Sequence, residues 1–360
     1  MKETSRYFVA SNTESGFVSY FDENLRAPRA DRCYIIKGGP GTGKSRLMRE
    51  LGSAAENMGG SAEYFFCSSD PDSLDGIFVT LPDGSTVSVL DGTAPHGEDT
   101  RIPGAVDEII DLGAFWRSDE LKAKSEEINL LGGRKSAAYF RAYRSLCAAG
   151  AFRRAADSIA ESCTDLDGIR RAAVKAAADL SDVSAVSEII RTPLEAISMK
   201  GYAVFDSFRE GAKKVFTVTD GRGIGVSHLF TSACLEAAKN RGGACRVSPD
   251  PLCPDRVTGI RIGMNSVVCR RLPDGSRTGK GSDGLDVSEF FDRDAFRGLR
   301  EEYANLRKLQ EAAMTAAYDA LADAARSHFA LEKIYGAAMN FGEKEKYCAS
   351  LPEKIFCSGV

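Results

Sequence analysis

The chain has 360 residues, 27% of them charged and 43% hydrophobic, with a formal net charge of -4 and a pI near 5.7. That is room for about two domains, each with a core of its own. The composition excludes a disordered chain, and the charge gives no general push toward nucleic acid or a membrane surface. The opening MKETSRYFVASNTES has no apolar stretch, and no uninterrupted apolar run of about eighteen residues occurs, so a cytoplasmic protein is expected. Ten cysteines without a C-x-x-C pair, and three histidines, argue against zinc. Reduced cysteines inside apolar runs, such as Cys33 and Cys67, behave as small buried hydrophobes.

Residues 6–25 combine an apolar run, a polar turn at Asn12 to Gly16 and a second segment, a short helix or strand, with Phe17, Val18, Tyr20, Phe21 and Leu25. Cys33 to Ile36 read as a buried strand. They run into Gly38, Gly39, Pro40, Gly41, Thr42, Gly43, Lys44 and Ser45, which match the phosphate-binding loop G-x-x-x-x-G-K-[ST] in full. Glycines let backbone N–H groups curl around phosphate oxygens, and the helix that follows adds a favourable dipole. Lys44 is expected to reach the terminal phosphates of ATP and Ser45 to hold Mg²⁺. Arg46 opens the following helix and counts with the nucleotide-binding residues.

After a turn at Gly59-Gly60, Ala62 to Cys67 form a second strand that empties into SSDPDSLDG. Asp70, Asp72 and Asp75 thereby stand at the carboxyl end of a strand, the edge where open α/β sheets take ligands. Ile77 to Leu81 and Val87 to Leu90 flank a Pro-Asp-Gly-Ser turn and suit a hairpin or two successive strands. The second of these delivers Asp91, in the manner of a strand presenting an acid to Mg²⁺; Gly92 follows where many ATPases place glutamate. His96, Glu98 and Asp99 come next, with His96 a candidate for sensing the terminal phosphate. Pro103 to Leu112 read as a short helix started by Pro103.

From Asp119 to Val186 charges, alanines and leucines recur with helical spacing. Gly132-Gly133 and Gly150 are expected to break this stretch into a hairpin or small bundle, with Arg141, Arg144, Arg153, Arg154, Arg170 and Arg171 on solvated faces. Val215 to Phe230 then repeat Cys33 to Met48 at a shift of 182 residues. Gly221, Gly223, Gly225 and Ser227 fall on Gly39, Gly41, Gly43 and Ser45, while Val226 takes the place of Lys44. Tyr202 to Asp206 and Cys245 to Leu252 repeat earlier strings in the same order. A valine cannot neutralise phosphate charge, and Arg270 is aligned near the place of Asp91, so the second copy is expected to be a scaffold without a working site. Arg277 and Lys280 sit in a glycine-rich loop, Asp294 to Phe341 read as a long helix, and Lys344 to Phe356 are expected to pack back on the second half.

KGGPGTGKS, CSSDPDSLDG and LDGTAPH followed by PGAVDEIIDLG resemble an uncharacterised bacterial family of tandem P-loop proteins labelled as ATPases or ATP-binding proteins, most strongly across residues 6–116. The resemblance implies ATP at Gly38 to Ser45 and places Asp70, Asp72, Asp91 and His96 in the family's signature loops. Val226 and Arg270 depart from a pattern in which the second half also carries a lysine-containing loop.

The expected architecture is α/β, two tandem P-loop domains with mostly parallel sheets, each with a helical insertion. A nucleotide-binding core spans 1–118, a helical insertion 119–190, a degenerate core 191–290 and a helical segment 291–360. The expected function is Mg-dependent ATP hydrolysis, with Lys44, Asp91, Asp70, Asp72 and His96 at the chemistry and Ser45 with Asp91 on the metal. A small-molecule kinase and a slow, nucleotide-gated module that presents its helices to a protein partner are the alternatives. Neither a membrane nor nucleic acid is indicated as a partner.

Overall fold

The structure, a computed structural model, describes residues 5–93, 97–180, 188–239, 245–263, 265–270 and 284–357. His96, Arg277 and Lys280 lie outside the described residues. The first half contains β1 (Ser5–Phe8), β2 (Ala10–Thr13), β3 (Gly16–Ser19), α1 (Phe21–Leu25), β4 (Arg32–Lys37), α2 (Lys44–Asn57), β5 (Ser61–Phe66), β6 (Leu74–Thr80), β7 (Thr86–Asp91) and β8 (Asp107–Asp111). Six of these strands form one sheet in the order β1-β5-β6-β7-β4-β8. Only β6 runs against its neighbours. In β4 the side chains alternate, as the pleat requires: Tyr34 and Ile36 pack under α2, and Cys33 and Ile35 face the opposite side.

Helices α3 (Ser118–Ala123), α4 (Ser125–Ser162) and α5 (Leu166–Leu180) lead to the second half. There β9 (Ile189–Arg191), β10 (Glu195–Ser198), β11 (Gly201–Val204), β12 (Lys214–Thr219), α6 (Ser227–Lys239), β13 (Cys245–Pro249), β14 (Val257–Ile262), β15 (Asn265–Arg270) and β16 (Gly284–Asp286) repeat the plan. Their sheet order, β16-β12-β15-β14-β13-β9, matches the first sheet's order read from its β8 edge, position for position. Two small hairpins, β2–β3 and β10–β11, also correspond. Thus the protein is mixed α/β, with two six-stranded, mostly parallel sheets in two repeated halves. Tyr7, Phe21, Cys33, Ile35, Phe65 and Leu90 of the first half share one core with Leu194, Phe208 and Val268 of the second.

After β16 come α7 (Arg293–Phe296), α8 (Arg300–Ala337), α9 (Phe341–Ala349) and α10 (Leu351–Phe356). The long helices α4 and α8 pack antiparallel through Ala142, Ala149, Ala317 and Ala320, small side chains that let the two backbones approach, with Leu146 and Leu321 filling the contact. Their ends are tied by the bridges Trp116 to Met339 and Thr164 to Phe291. Each long helix therefore carries the chain across to the other half. Helix α5 packs on the second core, with Ile169, Ala173 and Leu180 among Val226, Phe230 and Ile260. Conversely, Cys348, Leu351, Ile355 and Phe356 of α9 and α10 complete the first core.

Several expectations are corrected here. The segment Lys344 to Phe356 packs on the first half, not the second, because α8 has already carried the chain across. Pro103 to Leu112 contain no α-helix: Asp107–Asp111 are an edge strand parallel to β4, with Ile110 buried and Ile109 exposed in strand alternation. Glycines 132, 133 and 150 do not break α4; at Gly150 the missing side chain admits Glu14 from the β2–β3 turn. Asp75 belongs to β6 rather than to the preceding loop. Arg153 is buried and ion-paired rather than solvated.

Candidate functional site

Strand β4 ends at the glycine-rich loop, and the loop ends at Gly43, the residue before the first turn of α2. Gly41 (φ +72°) and Gly43 (φ +86°) both lie in the left-handed region. At Gly41 a side chain would also strike the backbone oxygen of Glu332 on α8, 2.5 Å away. Lys44 folds back over the loop: its Nζ donates to the carbonyls of Gly38 and Gly39 at 2.9 Å each and lies 3.5 Å from Oδ2 of Asp91. Asp91 is brought there because β7 is the direct neighbour of β4. The amide and hydroxyl of Thr93 donate to its Oδ1 at 2.9 and 2.6 Å. The Ser45 hydroxyl accepts the Leu74 amide at 2.9 Å and the Arg49 guanidinium at 3.3 Å.

These groups line a cavity of about 740 Å³. Pro40 to Ser45 make its floor, and Asp70, Asp75 and Asp91 come from the carboxyl-edge side of the sheet. Lys135, Tyr139 and Tyr143 descend from α4, His328 and Glu332 from α8, and Met199 from the β10–β11 turn. The walls thus come from both halves. Burial, together with the Lys44 ammonium, holds Lys135 below the usual lysine range. Burial and the Lys135 charge push His328 down, and burial with Asp70 nearby pushes Glu332 up. Between His328 Nε2 and Glu332 Oε1 the distance is 3.6 Å.

Lys44, Ser45 and Asp91 are brought together, as are the loop residues Pro40 to Gly43; Gly38 and Gly39 contribute the carbonyls that hold Lys44. Asp70 also lines the cavity, and its carboxylate is paired at 2.6 Å with Lys200 from the opposite half. Asp72 shares that lysine at 2.5 Å, but its side chain is 81% exposed and does not line the cavity. Arg46 points away, exposed and paired with Glu50 at 2.8 Å. Glu98 is buried against Arg26, and the backbone oxygen of Glu98 accepts Lys37. Sequence reasoning missed Lys135, Lys200, His328 and Glu332, which reach the site only because the long helices and hairpins cross between halves.

The corresponding place in the second half is built differently. Val226 is fully buried in the apolar core. Asp220 turns its carboxylate onto the loop's own amides, accepting Ile224 N–H at 3.0 Å and Gly225 N–H at 2.5 Å. Over the loop, Asp157 of α4 pairs with Arg256 and lies 3.6 Å from Arg153, which in turn holds Asp250 at 2.8 Å. The strand register sets Cys269 opposite Val218, as it sets Asp91 opposite Ile36. Asp91 therefore corresponds to Cys269, one residue before the Arg270 that the sequence alignment favours. Comparison with protein-family models, curated proteins and solved structures found no match, so the reading of this site rests on its own geometry.

Proposed function

We propose that the first-half cavity binds Mg²⁺ and a nucleoside triphosphate, ATP by default, and hydrolyses it, while the second half serves as a scaffold without a nucleotide site. The observation that carries this reading is the convergence at the cavity floor: a lysine held on loop carbonyls, 3.5 Å from a carboxylate, beside a serine hydroxyl at a helix start. A cavity of about 740 Å³ lies within the range of nucleotide-sized pockets.

Mg²⁺ fits the oxygen donors present. Among the described residues no cluster of three or more metal-ligating side chains occurs, and a Mg²⁺ shared with phosphates and water needs only one or two protein oxygens. Ser45 and Asp91 are the residues to hold it; when bound, it neutralises charge on the transferring phosphoryl group. Lys44 exchanges the carbonyls of Gly38 and Gly39 for phosphate oxygens. The loop amides and the start of α2 supply further donors. Lys135 adds a second cation, and a bound polyanion relieves its repulsion from Lys44. Tyr139, Tyr143 and Met199 restrict water on the far side.

The test is calorimetric binding of Mg-ATP and phosphate release for the wild type beside Lys44→Ala and Asp91→Ala. One nucleotide per chain is expected, with turnover falling at least ~100-fold on loss of Lys44. Full, metal-dependent turnover by Lys44→Ala would sink the reading. The nucleotide-gated module is favoured by one further observation: the cavity roof consists of α4 and α8, so occupancy bears directly on both long helices. Tight binding with turnover near background selects that module, and phosphate transfer to an added acceptor selects a kinase.

A further inference from the structure

We infer that Lys344, carried on α9 from the far end of the chain, is a phosphate-contacting residue of the first-half site; this rests on the nucleotide reading above. Lys344 is only 2% exposed. Its Nζ lies 2.9 Å from where a Cβ on Gly43 would stand, against the last glycine of the loop. It does not line the 740 Å³ cavity but meets the loop at the start of α2. Among the described residues no carboxylate pairs with it; the Cys348 thiol, one helical turn on, feels its charge. A lysine head this enclosed, with no described carboxylate paired to it, favours an anion beside it. The nearest seat for an anion is the glycine-rich loop whose last glycine it abuts.

A second observation comes from the other half. Asn340 N–H bonds to Phe115 O and Asp165 N–H to Phe290 O. The side chains of Asn340 and Asp165 accept the amides of Glu343 and Gly168. Lys344 N–H then bonds to Asn340 O, and Ile169 N–H to Asp165 O, both at 3.1 Å. These matched caps make Ile169 the counterpart of Lys344, and Ile169 is buried in the same core as Val226. Where the loop has Lys44, the helix from the other half brings a lysine; where the loop has Val226, it brings isoleucine. Two cations, far apart in sequence, are present together and replaced together. A shared anion accounts for that pairing, whereas a packing role for the lysine stem gives no reason for it.

The test uses the full chain, with Mg-ATP and inorganic triphosphate as probes, in calorimetry and ligand-free thermal melting. Lys344→Met is expected to melt at or above the wild-type temperature, since an unpaired buried charge has gone. Its affinity for both probes is expected to fall roughly 10- to 100-fold, the worth of one charge-assisted contact. Lys344→Arg keeps the charge and is expected to stay within about threefold of wild type. Wild-type affinity in Lys344→Met, alongside Lys44-dependent binding by the wild type, overturns the inference alone. Equal loss of binding in the methionine and arginine variants with lowered melting temperatures assigns Lys344 to packing and also overturns it. If the wild type binds neither probe, or if Lys44→Ala binds both unchanged, the nucleotide reading itself fails and takes the inference with it.

Discussion

The two glycine-rich loops sit at the same place on two copies of one sheet, and their surroundings differ. The second loop is closed on itself. Asp220 caps Ile224 and Gly225, Val226 is absorbed into the core, and Arg153, Asp157, Asp250 and Arg256 fill the space above with ion pairs. The first loop is left open onto a cavity, with Lys44 parked on carbonyls that it can leave. Between the matched halves, then, the difference is one of internal neutralisation. In the second half a carboxylate from the loop itself occupies two of its amides, while in the first half Lys44 and Lys135 face a cavity together with Asp70, Asp91 and Glu332.

Breaking the network over the second loop should have the largest effect. Asp157→Ala leaves Arg153 and Arg256 buried without their shared acid, and a loss of about 3–5 kcal/mol is expected, read by urea unfolding. Glu332→Gln, on the long helix over the first loop, alters a part-exposed carboxylate that lines the cavity 3.6 Å from His328 and should cost under ~1 kcal/mol. Equal costs would erase the distinction drawn between the loops. Next comes Val226→Lys, the change that gives the second loop the first loop's sequence feature. With Asp220 on the amides it should add no second nucleotide, so calorimetric stoichiometry stays at one per chain, whereas Lys44→Ala removes the only binding. A stoichiometry of two would show that the missing lysine alone silenced the second loop.

A smaller effect is expected where the halves share their helix pair. Ala142→Leu at the α4–α8 contact overpacks a small-residue seam and should cost about 1–3 kcal/mol by the same unfolding assay. The smallest is a pH effect at the seam between sheets. Glu63 on β5 is held by Arg246 on β13 at 2.6 Å and by Arg29. Burial would raise its pKa, but the two guanidiniums outweigh it and bring it down to about 2 from the ordinary 4.5. A depressed carboxyl contributes stability that is full above its unfolded value and is lost as pH falls through the folded one. Wild-type stability should therefore decline between about pH 5 and pH 2 more steeply than that of Glu63→Gln. Parallel slopes would remove Glu63 as the acid-sensitive tie between halves.

Much of this plan was legible because it is local. The run from Cys33 to Ser45 fixes a strand, a glycine turn and a helix start, and its repeat at Val215 to Ser227 fixes the duplication. Asp91 was readable from the apolar segment that delivers it. The edge strand Asp107–Asp111 was not: it buries Ile110 and the ion-paired Asp107 but is too short for a clear period, and Pro103 looks like a helix start. Nor does the apolar face of Leu351, Ile355 and Phe356 say which of two similar cores it covers. That choice is made by the antiparallel pairing of α4 with α8, a tertiary contact with no local signature. For the same reason Lys135, His328, Glu332 and Lys344 stayed hidden, since each reaches the first loop through that crossing.

The crossing of the C-terminal helices also sets an order of events during synthesis. The first sheet and its loop leave the ribosome early, yet Leu351, Ile355 and Phe356, which close that sheet's core, and Lys344, which touches its loop, are translated after both sheets. Until then a nascent chain carries the loop but not its finished surroundings, so completion of the first core waits on helices that are made after both sheets.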